Sequence, residues 1–184
     1  TSPWIPDFFD MAKKTGAREM NFVRLITAGH AEKMVREGED AALLGIALKE
    51  AMENILKYSR LKGVATNTHK SLWHLIEPGL GAPNNIGFSG LIVDYKGRVK
   101  VSSRVPSFIG HVFEEGLEKL FLDHPVMQKL RRGEIEGCGT CPDFKKCRGD
   151  RNASFESFGH FFGPDEGCFR GLEKPDHAKP LRPG

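Results

Sequence analysis

Cys138-Gly-Thr-Cys-Pro-Asp-Phe-Lys-Lys-Cys147-Arg-Gly-Asp-Arg151, with Gly163-Pro-Asp-Glu-Gly-Cys168 a little further on, contains all 4 cysteines of a 184-residue chain. A set this compact fits a disulfide framework, a zinc site or an iron–sulfur site. The CxxC pair argues against the first, because two cysteines so close direct both thiolates at one metal more often than at distant partners. No signal-peptide pattern or transmembrane run is read in the sequence, so the expected compartment is the reducing cytoplasm, where thiols persist and metals bind them. Spacing alone leaves the metal open. Structural zinc favours two matched halves, whereas here the second half is split into Cys147 and a remote Cys168. Four-cysteine iron–sulfur ligation tolerates irregular loops better, since they wrap a larger inorganic core.

Upstream of this stretch, Leu91-Ile-Val, the turn Asp94-Tyr-Lys-Gly97 and Arg98-Val-Lys-Val101 have hairpin grammar, with Gly97 free to take a positive φ. They predict a small two-stranded sheet. Phe113, Leu117, Leu120 and Phe121 predict an amphipathic helix, and Pro125 opens another that ends before Gly133. Nearer the N-terminus, Asp7 to Thr15 predicts a short helix stopped by Gly16, and Glu19-Met-Asn-Phe-Val-Arg-Leu-Ile26 a buried strand. From Asp40 to Arg60, the positions Leu44, Leu48, Met52, Ile55 and Ser59 form one stripe at helical spacing, with Lys49, Glu50, Glu53 and Lys57 on the other faces. The order is that of a βα protein.

The cysteine stretch resembles the SPASM/twitch extension of radical S-adenosylmethionine (SAM) enzymes, which reads C-G-x-C-x5-C-G-G-C-R-A-R-A, then T-G-D, then D-P-G-C. Placed on it without a gap, Cys138, Cys141, Cys147 and Cys168 fall on the ligands of the outer auxiliary 4Fe–4S cluster, and Gly139, Gly149, Arg151, Gly159, Asp165 and Gly167 match as well. The departures concern the inner auxiliary cluster. Its fourth cysteine in this run is Asp150 here, the cysteine of the V-Y-P-C hairpin is Ser102, and nothing near Gly87 supplies the earlier ones. A cluster needs about four thiolates or close substitutes, so one auxiliary cluster is expected.

The resemblance covers nearly the whole chain, because family members also show a helix, a strand of the form Gly-Ala-x-x-x-Asn-Phe-x-Arg-Leu-Ile and a long helix at the close of the partial (β/α)6 barrel. It implies an α/β fold in which residues 1–80 close such a barrel, 81–172 form the iron–sulfur module and 173–184 are a disordered tail. The CxxxCxxC motif of the catalytic cluster is absent from this sequence. The expectation is a C-terminal fragment of an enzyme whose chemistry needs residues outside it. In the parent, the resemblance implies reductive cleavage of SAM and hydrogen abstraction by a 5′-deoxyadenosyl radical from a peptide or protein, or alternatively from a tetrapyrrole side chain, with a ferredoxin or flavodoxin as electron donor. It also places Arg24, Leu25 and Ile26 at the barrel-strand end beside the SAM adenosine. A small non-catalytic iron–sulfur or zinc protein for electron transfer or peptide recognition is the reading from another class.

Composition sets outer limits. The net charge of +3 is near balance and no low-complexity run appears, which disfavours nucleic acid as the main partner; neither is a membrane partner expected. Lys145-Lys146 and Lys129-Leu-Arg-Arg132 read as solvated faces. Thr68-His69 and His74 read as exposed loop positions more readily than as substrate contacts, and His160 as a surface residue more readily than as a ligand. Asp150 reads as a hydrogen-bond acceptor beside the cluster rather than a ligand, since four thiolates already fill it.

Overall fold

The computed structural model describes residues 3–38, 42–66, 68 and 70–172. It is a mixed α/β fold with two small sheets. Helix α1, Ile5–Thr15, has Pro6 in its first turn and Asp7 near its N-terminus, and Lys13 and Lys14 near its C-terminus; each charge complements the helix dipole. Gly16, at φ 76°, stops it. Ile5, Phe9 and Ala12 bury one face against α3, Gly45–Lys62, which contributes Leu48, Ala51, Met52, Ile55 and Leu56. Ser59, read as part of the apolar stripe, instead donates its hydroxyl to the Val64 carbonyl at the helix exit. Between them lie β1, Glu19–Met20, and the short α2, His30–Arg36, which buries no residue and has no sequence signal strong enough to announce it. Beyond α3, β2 (Ala65–Thr66) pairs with β1 in parallel, Glu19 opposite Ala65 and Met20 opposite Thr66.

The expected strand Glu19–Ile26 is therefore shorter than its apolar run. Its partner β2 is only two residues long, so pairing stops at Met20 and residues 21–27 continue without a ladder. Val23 and Leu25 are left exposed at 52% and 39%, where a strand covered on both faces would bury them.

The second sheet is antiparallel, in the order β3 (Ile92–Val93), β4 (Arg98–Lys100), β5 (Phe108–His111). The hairpin is where the sequence puts it: Gly97, at φ 80°, donates its N–H to the Asp94 carbonyl, and Asp94 Oδ1 accepts from the N–H groups of Lys96 and Arg98. The third strand corrects the two-stranded expectation. Phe-Ile-Gly-His has neither clean alternation nor a flanking turn pair to signal it, and it joins β4 through a register shift at Val99 and Lys100.

The predicted amphipathic helix is broken in two, α4 (Val112–Glu115) and α5 (Leu117–Leu122), because Gly116 sits at φ 78°, ψ 140°. Phe113 is consequently off the buried stripe and 84% exposed, while Leu120 stays buried. Helix α6, Pro125–Arg132, ends at Gly133 in the left-handed region and buries Met127 and Leu130 completely.

Two hydrophobic clusters result. One gathers Ile5, Phe9, Met52, Leu56, Leu72 and Trp73, and takes in Cys147 and Phe169 from the far end of the chain. The other gathers Ile86, Val101, Val105, Met127, Leu130 and Phe161. The cysteine stretch thus lies where the two meet. Among the described residues no helix is long and apolar enough to cross a membrane.

Candidate metal centre

Each cysteine is delivered by a local turn. After Gly133 the chain folds back so tightly that a Cβ on Gly139 would run into the Gly133 carbonyl, so only glycine lets Cys138 and Cys141 face the same way. The Cys141 N–H donates to the Cys138 carbonyl at 3.0 Å, and the Phe144 N–H to the Cys141 carbonyl at 3.0 Å. The single turn α7, Phe144–Cys147, then presents Cys147, and Arg148 and Gly149, both at φ 61°, reverse the chain into α8, Arg151–Phe158. Asp150 caps α8, its Oδ1 accepting from the N–H groups of Asn152 at 3.1 Å and Ala153 at 3.5 Å. Finally the Cys168 N–H donates to the Asp165 carbonyl at 2.9 Å, which turns the fourth thiol back towards the first three.

All four cysteines are free thiols and line one cavity of about 140 Å³, whose wall also includes Leu72, Asp143, Arg148, Asp165 and Arg170. Among the described residues no three His, Cys, Asp or Glu side chains are gathered to hold a single metal ion. A four-thiolate zinc site has Zn–S bonds of about 2.3 Å, hence sulfurs about 3.8 Å apart, and is closed with no room left over. A ring of cysteines around a cavity suits the larger core of an iron–sulfur cluster.

Burial and the Asp165 carboxylate both work against bare thiolates at Cys147 and Cys168. Burial pushes the Cys147 thiol up to about 11, against N–H groups of Gly149 and Leu72 that favour its thiolate. Burial also pushes Cys168 up, opposed by the Arg170 N–H, and the proximity of Asp165, Cys138 and Cys141 adds to the rise. Without a bound cation these two are thiols at neutral pH; a metal displaces such protons.

Beside the cysteines stands Arg151, 1% exposed. Its Nη1 donates to the carbonyls of Phe161 (2.9 Å) and Gly163 (2.8 Å), its Nη2 to Cys138 Sγ at 3.6 Å, and it makes no ion pair among the described residues. A buried guanidinium that donates to carbonyls and a cysteine sulfur but to no carboxylate among the described residues is costly to bury. Cysteines held as thiolates by a metal would supply the counter-charge. The sequence shows Arg151 as one matched position in a motif; that it is the buried cation of the site emerges only once the chain is folded.

Asp150 is not in the wall of the cysteine cavity but in that of a larger one of about 520 Å³ between α1, α3 and residues 22–25. Arg24 and Leu25 line that larger cavity and Ile26 does not. Arg24 is turned inward, its Nη1 donating to Asp165 Oδ1 at 2.9 Å and its Nη2 standing 3.7 Å from Asp150 Oδ2. It thereby ties the segment after β1 to the loop that carries Cys168. His160 is exposed, stacked between Phe158 and Phe162, and does not line the cysteine cavity. Thr68 is buried; His69 and the tail 173–184 lie outside the described residues. Lys145 and Lys146 are exposed as read, but Arg131 is not a free cation: it lies over the Phe121 ring and donates Nε to the Gly87 carbonyl at 2.8 Å.

His74 corrects its reading as an exposed loop residue. Both ring nitrogens are buried without a partner, and burial, followed by the charges of Lys146 and Arg170, lowers its pKa from 6.5. The neutral ring is thus favoured in the folded chain. Since the unfolded chain binds the extra proton first, stability from His74 is intact above pH 6.5 and is lost as pH falls through that value towards the lower folded pKa. The midpoint of thermal unfolding should therefore drop more between pH 7 and pH 5.5 in the natural chain than in His74→Gln. Equal drops would assign the acid sensitivity to other groups, such as His124, whose pKa burial also lowers.

No family model, curated protein or solved structure matches the chain.

Proposed function

We propose that Cys138, Cys141, Cys147 and Cys168 hold a single 4Fe–4S cluster, and that the chain is the auxiliary-cluster part of a radical SAM enzyme of the SPASM/twitch kind. The observation that carries this is the meeting of four thiols from separate turns of one cysteine-rich stretch around one cavity, beside a buried guanidinium that makes no ion pair among the described residues. The cluster, when bound, would supply one-electron transfer to or from a substrate. The protein's part is to exclude water with Leu72 and Phe144, and to fix the cysteine turns through Gly139, Asp165 and Arg151.

Two further observations support one cluster rather than two. Ser102, at the position of an inner-cluster cysteine, donates its hydroxyl to Asn152 Oδ1 at 2.5 Å. Asp150, at the position of another, is occupied in capping α8 and lies off the cysteine cavity. The parallel β1–β2 pair joined through α3, and the hairpin ahead of the cysteines, are the kind of elements the SPASM resemblance implies.

Anaerobic reconstitution with iron and sulfide tests the reading. About four irons per chain are expected, with the broad visible absorption of one cubane cluster and a single paramagnetic species on reduction. Tight stoichiometric zinc, with no cluster formed under the same anaerobic conditions, would overturn it.

A further inference from the structure

We infer that Arg151 sets the electron affinity of the cysteine-bound cluster, holding its reduction potential up through a fixed positive charge and an N–H donated to Cys138 Sγ. The inference rests on the iron–sulfur reading above.

Arg151 is more deeply buried than Arg24 or Arg170. The carbonyls of Phe161 and Gly163 both accept from Nη1, which fixes the plane of the guanidinium and leaves Nη2 for the sulfur. Gly149 makes this approach possible, since a Cβ there would run into Nη2. The remaining charges around the cavity are engaged elsewhere. Arg148 lies on the Phe88 ring and donates to the Asn84 carbonyl, Arg170 pairs with Asp143, and Asp165 serves Arg24 and the N–H groups of Asp150 and Gly167. None of the cations Arg148, Arg170 and Arg24 donates a side-chain N–H to a cysteine sulfur among the described residues.

Reduction adds one negative charge to the cluster. A buried cation that cannot rotate away, together with an N–H donor on a ligand sulfur, stabilises the more negative state, and both are recognised levers on cluster potential. Low local dielectric makes that charge felt more than a surface lysine would be. Arg151 is in this sense a positioning and tuning residue, which touches a ligand and not the substrate.

The test compares the reconstituted natural chain with Arg151→Met and Arg151→Lys by redox titration followed through the reduced-cluster signal, with iron counted in each sample. At the potential where the natural cluster is half reduced, the ratio of reduced to oxidised cluster in Arg151→Met should be about tenfold lower, which is about 59 mV for a one-electron couple. Arg151→Lys retains the charge but not the fork, and should fall between the two. A fully loaded Arg151→Met cluster with the ratio of the natural chain overturns the inference and leaves the iron–sulfur reading standing. If Arg151→Met holds no iron, Arg151→Lys decides: a fall of about threefold supports the assignment and an unchanged ratio sinks it. Failure of the natural chain to take up a cluster sinks both readings.

Discussion

Replacing Cys168 by serine should strip the reconstituted chain of its cluster as completely as replacing Cys141, although 20 residues separate Cys168 from Cys147. The expectation comes from the anchoring of its loop. Cys168 is bonded through its N–H to the Asp165 carbonyl, and the next residue, Phe169, is buried in the first hydrophobic cluster. The thiol is therefore held at the cavity wall whether or not anything binds there. Serine is close to cysteine in size and preserves this packing, so the loss isolates the missing thiolate. Iron should fall from about four per chain to below about one after desalting, and the visible absorption should decay with it. If Cys168→Ser keeps iron like the natural chain while Cys141→Ser does not, the fourth ligand lies elsewhere and the alignment on the SPASM motif fails.

The elements that announce themselves in the sequence are those with both a pattern and a stop. Helices α1 and α6 end on Gly16 and Gly133, each in the left-handed region, and the β3–β4 hairpin turns on Gly97. Where the stop is internal the reading fails: Gly116 divides one expected helix into two and throws Phe113 into solvent. The strand from Glu19 fails for a different reason. Its apolar alternation is a property of the residues, but its length as a strand depends on a partner, and β2 offers two residues. At the site, the cysteines are legible because thiols at such spacing have few uses. Asp150 can be read as a missing ligand, whereas its work as the cap of α8 requires knowing that a helix begins at Arg151. The partner of Arg24 could not be read at all, since Asp165 is 141 positions away and no local pattern links them.

That long-range pair supports the other large effect. Asp165→Ala should destabilise the chain by about 3–5 kcal/mol in chemical denaturation, because it breaks a buried pair and leaves a charge behind. The Asp165 side chain is fully buried and that of Arg24 is 10% exposed. Arg24 has one other carboxylate near, Asp150 at 3.7 Å, which is beyond hydrogen-bond distance and already engaged at the α8 cap. Asp165 also accepts from the N–H groups of Asp150 at 2.7 Å and Gly167 at 2.9 Å, so its removal leaves two donors unsatisfied. Asp150→Asn is the control: the amide still caps α8 and only a partly exposed, lengthened ion pair is weakened, so the cost should stay below about 1 kcal/mol. If the two variants lose equally little, Arg24 is not held by Asp165 in solution. If Asp165→Ala is costly in the iron-free chain and also speeds loss of iron from the loaded one, the bond from Arg24 to Asp165 is what makes the segment after β1 and the Cys168 loop act as one unit. The cluster site would then depend on the helical half of the molecule as well as on its own turns.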